Sequence, residues 1–260
     1  DQTFKRLKKL RKKAFIAFLT AGYPNLKVTE DLVVAFEKAG VDIVEIGVPF
    51  SDPLADGKTI QAASQKALEH YITLEKILHL VKRIRKRSSL PIALMTYYNP
   101  VFHFGDEKFI AIAKAAGVDG VIIPDLPPEE AKDLIKAARA ESIATVFFLA
   151  PTTSRHRIKR IADASSGFIY YVSVTGITGT GQSIAAESIG KHIRQIKQFT
   201  KKPVCVGFGI STPHQVRSIA KISDGVIVGS EIIRQIDRNA GKANLISNVT
   251  HFIQKLTRAL

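Results

Sequence analysis

A chain of 260 residues, 45% of them hydrophobic, can bury one substantial core, and its length is close to the roughly 250 residues of a single (β/α)8 barrel. The 38 Lys and Arg against 23 Asp and Glu leave a net charge of +15, which permits steering of anionic ligands or loose adhesion to nucleic acid. No apolar run reaches the ~18 residues of a membrane span, and the one cysteine, Cys205 in PVCVGFG, reads as a buried reduced thiol that suits the cytoplasm, not as a disulfide or metal ligand.

The first segment, KRLKKLRKK followed by AFIAFLTAG, imitates the charged and apolar parts of a signal peptide. Its apolar part has the length of a strand and ends in the turn Gly22-Tyr23-Pro24, so we read an N-terminal helix and a first strand. Short apolar strands then alternate with amphipathic helices. Strands are expected at Ala14 to Thr20, Ile43 to Gly47, Ile92 to Thr96, Gly120 to Ile123, Ala144 to Leu149, Ile169 to Val172, Val204 to Gly207 and Gly225 to Val228. Helices are expected at Glu30 to Ala39, Ile60 to Tyr71, Leu74 to Arg87, Glu107 to Ala116, Pro128 to Ala140, His156 to Ala164, Ser188 to Phe199, Pro213 to Ala220, Glu231 to Arg238 and Ala243 to Ala259. The basic clusters at Lys5 to Lys13 and Lys82 to Arg87 fall on such helices, where solvated faces explain them without a dedicated nucleic-acid site.

A partial repeat supports this organisation: AGVDIVEIGVP at Ala39, AGVDGVIIPDLP at Ala116 and SDGVIVGS at Ser223 share a helix end, an Asp-containing turn and a buried strand. Near-continuous apolar strands separated by helices imply a parallel sheet covered on both sides. Eight such units favour one domain over residues 1–260, a (β/α)8 TIM barrel with an extra N-terminal helix and extra helices in the βα connections. The alternative is an open doubly wound sheet, whose G-x-G-x-x-G signature is missing after the first strand.

In such a barrel the loops after the strands gather at one end. After the second strand, EIGVPFSDPLADG places Glu45 among Val41, Ile43, Val44, Ile46 and Val48, where a carboxylate either finds partners or raises its pKa toward neutrality, as proton transfer near pH 7 requires. Asp52 and Asp56 follow in a proline-stiffened loop, although each could instead form a turn or cap the next helix. The sixth loop, Thr175 to Gly181, has the length of a lid. Gly207-Phe208-Gly209-Ile210-Ser211 after the seventh strand and Gly229-Ser230 after the eighth suit a phosphate, since bare backbone N–H groups and a helix N-terminus favour an anion. The seven histidines are scattered without ligand spacing, so no metal is implied, and no G-x-S-x-G nucleophile motif is present.

FLTAGYP, EIGVPFSDPLADG, MTYYNPVF, PDLP, SVTGITG, GFGIS and VGS, in this order, resemble the tryptophan synthase alpha subunit family over nearly the whole chain. That resemblance implies a (β/α)8 barrel that cleaves indole-3-glycerol phosphate to indole and glyceraldehyde 3-phosphate. It implies no cofactor in this chain, and an α2β2 complex whose beta subunit uses pyridoxal phosphate. Glu45 then matches the acid/base, and Asp56 the carboxylate that contacts the indole N–H. Phe18, Ile60, Met95, Tyr97, Ile122, Tyr170 and Phe208 match positions around the indole. Gly179, Gly209, Ile210, Gly229 and Ser230, with Gly207 nearby, match the phosphate cradle, and Thr178 matches the lid threonine. Asp52, Pro53, Asn99 and Phe102 match the face toward the beta subunit. Two departures stand out: Lys58 replaces the usual proline after ADG, and the lid reads TGTGQ where an arginine often occurs. Other readings are a different phosphosugar barrel enzyme, or an idle barrel acting as a partner's activator or as a basic RNA-binding protein. Indole-glycerol-phosphate synthase is disfavoured because no lysine matches at the barrel mouth.

Overall fold

The structure is a computed structural model that describes residues 2–172, 182–207 and 209–260, without the side chains of 182–185. Its strands are the β-branched apolar runs, buried on both faces and therefore free of polar alternation. They are β1 (Ala14–Thr20), β2 (Ile43–Gly47), β3 (Ile92–Met95), β4 (Gly120–Ile122), β5 (Ala144–Val146), β6 (Phe148–Leu149), β7 (Ile169–Val172), β8 (Val204–Gly207) and β9 (Gly225–Val228). All pair in parallel in the order β5-β4-β3-β2-β1-β9-β8-β7-β6. The expected fifth strand is thus two pieces: β5 bonds to β4, and β6, past Phe147, bonds to β7. The chain itself closes the ring at Phe147, whose carbonyl accepts from Tyr170 N at 3.0 Å.

Twelve helices lie among the described residues: α1 (Gln2–Lys9), α2 (Leu26–Lys38), α3 (Lys58–Leu68), α4 (Leu74–Arg85), α5 (Tyr98–Phe104), α6 (Asp106–Ala116), α7 (Lys132–Ala140), α8 (Arg155–Ala164), α9 (Gln182–Lys197), α10 (Pro213–Ala220), α11 (Ser230–Asn239) and α12 (Leu245–Thr257). Two boundaries and one whole helix differ from expectation for visible reasons. Helix α2 begins at Leu26 because the Asn25 side chain accepts from Val28 N, an N-cap. Helix α7 begins only at Lys132, since Glu130 N and Ala131 N both fold back onto Pro127 O in a preceding turn. Helix α5 was not expected at all, because its seven residues carry Pro100 and no apolar period. Its first N–H, on Tyr98, donates to both Asp125 oxygens, so a residue from the next βα loop caps it.

Side chains pack in two clusters, one between the barrel wall and the helices and one inside the barrel. Ile16, Ile43, Ala93, Ile122, Val146, Cys205 and Ile227 fill the interior, and Leu7 and Phe4 of α1 join them from below, Phe4 lying 5.8 Å from the Phe168 ring. No helix among the described residues is long and apolar enough to cross a membrane.

The repeated Asp turn has a clear purpose. Asp42, Asp119 and Asp224 each precede a strand and accept an N–H at the start of the neighbouring strand: Phe15 N, the second of β1, at 3.0 Å, Ile92 N at 2.9 Å and Val204 N at 2.8 Å. Each also pairs with a cation, Arg6, Arg85 and Lys197 respectively.

Candidate active site

Strand β2 carries the site's first acid. With Ile43 facing inward, the two-residue period turns Glu45 and Gly47 inward as well. Glu45 is 0% exposed, lies in register with Phe18 and Ala93, and neither carboxylate oxygen has a hydrogen-bond partner. Of the two outcomes open to a carboxylate in an apolar strand, the structure shows the second: desolvation pushes Glu45 up to about 8, so it holds its proton at pH 7.

Asp56 comes from the loop that follows. It is not an N-cap: Gly57 holds that position of α3, without a side-chain bond. Instead one Asp56 oxygen accepts from the Tyr97 hydroxyl at 3.2 Å, and that hydroxyl in turn accepts from Ala55 N at 2.9 Å. Tyr97 is buried and stacks on Phe50 with centroids 5.0 Å apart, so the loop is held from both sides. Burial pushes Asp56 up to about 6, against the opposing Tyr97 bond, which leaves it largely ionised at neutral pH. Lys58 takes the first position of α3. Proline is tolerated there because that N–H is unpaired in any case, so the departure from the family pattern keeps the helix start.

Aromatic rings are seated in glycine gaps. A Cβ on Gly207 would lie 2.6 Å from the Tyr170 ring, one on Gly47 2.6 Å from Phe18, and one on Gly229 3.3 Å from Phe18. Burial, then the charges of Glu45 and Asp56, hold the Tyr170 hydroxyl far above its usual range, which places it in reach of both acids' fields. Gly47, Met95 and Ile122 form one register row just above Glu45, with Ile60 partly buried at the start of α3. The set lines the barrel interior with apolar and aromatic side chains on the level of Glu45 and just above it.

At the far side, Gly229 follows β9 and caps α11, whose first residue is Ser230. Gly209 adopts φ +69, a left-handed conformation that favours glycine, and Ile210 is buried behind it. Gly207 and Gly229 thus make room for rings as well as belonging to the expected cradle. Thr178, Gly179 and Phe208 lie outside the described residues. On the rim, Asp52 and Asn99 are exposed beside Phe102, 69% exposed, and Leu54, 93% exposed, with Pro53 half-buried.

Sequence reasoning missed Phe50, Thr20 and the backbone of Ala55. Thr20, in register with Gly47, has a buried hydroxyl without a partner, and counting by two from Phe18 would have found it. The bond from Ala55 N depends on a loop path that no local pattern encodes.

A closed parallel barrel with helices between its strands and a glycine-capped helix after the last strand defines the class of (β/α)8-barrel proteins. The family described as tryptophan synthase alpha chain matches residues 4–260. A tryptophan synthase alpha chain from Geotalea daltonii is 51% identical over 242 residues, 93% of this chain and 91% of the relative. The crystal structure of tryptophan synthase subunit alpha from Legionella pneumophila has a TM-score of 0.92 at 34% identity, covering 100% of this chain and 97% of that one. A chain of the tryptophan synthase complex from Pyrococcus furiosus has a TM-score of 0.84 at 37% identity, covering 94% and 97%. The chain belongs to the tryptophan synthase alpha chain family, the lyase subunit that cleaves indole-3-glycerol phosphate in tryptophan biosynthesis.

Proposed function

We propose that Glu45 and Asp56 divide this cleavage between them, in one barrel domain spanning 1–260. Breaking the bond from indole C3 to the glycerol phosphate chain needs a proton on C3, loss of the hydroxyl proton on the departing carbon, and stabilisation of positive charge on the ring nitrogen. Neutral Glu45 gives its proton to C3, the ring nitrogen takes the positive charge, and Asp56 accepts the N–H and stabilises that cation. As the carbon–carbon bond breaks, its electron pair returns to the ring, the hydroxyl becomes an aldehyde, and its proton goes to the Glu45 carboxylate. Glu45 ends as it began.

Phe18, Ile60, Met95, Tyr97, Ile122, Tyr170 and Phe208 hold the indole. Gly179, Gly207, Gly209, Ile210, Gly229 and Ser230 take the phosphate, and Thr178 closes over the site. The phosphate is remote from the reacting bond, so its binding energy orients the substrate between the acids. The observation that carries this reading is Glu45, wholly buried with both oxygens unpartnered, an arrangement that costs stability and has no structural use.

The exposed Asp52, Pro53, Asn99 and Phe102 face a beta subunit, to which indole passes in an α2β2 assembly. The complex named for the Pyrococcus furiosus neighbour supports that partnership. The chemistry uses no cofactor in this chain, pyridoxal phosphate belonging to the beta subunit, and we place the protein in the cytoplasm without specific nucleic-acid or membrane partners. The deciding experiment incubates purified protein with indole-3-glycerol phosphate, with and without a beta subunit, and follows indole. Ser230→Asp is expected chiefly to raise KM, and a pure kcat effect would remove Ser230 from the cradle.

A further inference from the structure

Helix α11 begins at the proposed phosphate cradle, and α3 begins two residues after Asp56. The two helices pack against each other above β1 and are joined by a chain of polar contacts. Arg234 Nε donates to Glu231 Oε2 at 2.7 Å, and Arg234 Nη1 reaches Thr59 Oγ1 at 3.4 Å. Glu231 is fixed further by Gln235 Nε2 on its other oxygen at 2.8 Å, with Arg238 at 3.7 Å, and its side chain is only 12% exposed. A turn beyond, Asp237 takes Lys66 Nζ from α3 at 3.2 Å and also the hydroxyl of buried Tyr23, from the loop after β1.

The order of these contacts matters. Thr59 is three residues past Asp56, and Arg234 is four past Ser230, one helical turn from where an anion would rest. Glu231 alone, beside Ser230, would repel a phosphate; Arg234 and Arg238 outweigh it. Arg234 is 43% exposed, so its ion pair contributes little to stability. Its orientation toward Thr59 has a different use, because binding energy from a remote phosphate helps the reacting centre only if the two parts of the site are held in one geometry.

We infer that Arg234, aimed by Glu231, is a positioning residue that ties the phosphate-binding start of α11 to the start of α3, directly after the loop that carries Asp56. This rests on the proposed roles of Asp56 and Ser230. The test measures indole release from indole-3-glycerol phosphate by the protein with its beta subunit, and inhibition by glycerol 3-phosphate, for wild type, Arg234→Met, Arg234→Lys and Thr59→Val.

Arg234→Met is expected to lower kcat about tenfold at saturating substrate, well below the hundredfold that a 1 Å misplacement can cost, while the inhibition constant for glycerol 3-phosphate changes by about threefold or less. Thr59→Val, which removes only the accepting hydroxyl, is expected to lower kcat about threefold, and Arg234→Lys to recover part of the loss. Should Arg234→Met fail to fold, Thr59→Val carries the test. An unchanged kcat in Thr59→Val, or an Arg234→Met effect confined to KM and the inhibition constant, overturns the coupling. Failure of the underlying reading looks different and sinks both: the wild type itself would release no indole, or glycerol 3-phosphate would not compete.

Discussion

Carboxylates at the two ends of this barrel live by opposite rules. At the N-terminal end, Asp42, Asp119 and Asp224 each hold an N–H at the start of a strand and a cation, so their charge is used to build the sheet. At the C-terminal end, Glu45 has no partner and Asp56 has one neutral hydroxyl. Burial raises Asp42 as well, but there a backbone N–H and Arg6 pull the other way, whereas nothing opposes it at Glu45. An acid with partners stabilises a fold; an acid denied them is available for chemistry.

Exchanging the rules should break the molecule differently at each end. Glu45→Gln is expected to abolish indole release while leaving substrate affinity within a few-fold, as read by single-turnover assay and direct binding. Its stability should move the opposite way. Because Glu45 titrates near 8 when folded and near 4.5 when unfolded, the folded state binds the extra proton between those values, so wild-type stability falls as pH rises through that window. Glu45→Gln removes this loss. Its Tm should exceed the wild type's at pH 8 by several degrees and by less at pH 5, and equal Tm differences at both would argue that Glu45 is not neutral in the fold.

Next in size, Asp56→Asn should cost kcat on the order of a hundredfold or more with an unchanged circular dichroism spectrum, since a neutral amide cannot stabilise the cationic ring. A smaller effect sharpens the assignment. The kcat profile against pH should be bell-shaped, needing Asp56 ionised above about 6 and Glu45 protonated below about 8. Tyr97→Phe removes the bond that holds Asp56 down, so only the acidic limb should move upward. A shift of the alkaline limb instead would reverse the two roles. The smallest effect on activity belongs to the other end: Asp224→Ala should cost about 1–3 kcal/mol in denaturant unfolding with kcat unchanged.

Much of the barrel could be read from residues because its strands are buried on both faces and announce themselves as apolar runs; β1, β2, β7, β8 and β9 have the expected bounds. The break at Phe147 was hidden, since it reflects which neighbour each half bonds to and not what the residues are. Glu45 was legible for the same reason as the strands: a charge in such a run has few ways to survive. Asp56 and Tyr97 were not separable from ordinary loop and core residues without the family pattern, because their bond joins two βα loops 41 residues apart. The repeat was visible, yet its meaning as a strand-starting device appears only when adjacent strands are set side by side.

Phe4 and Leu7 of α1 pack under the barrel floor against the interior cluster. The rim at the opposite end, by contrast, leaves Leu54 and Phe102 bare to solvent. One short helix thus covers apolar surface at the floor of a kind that the rim keeps uncovered.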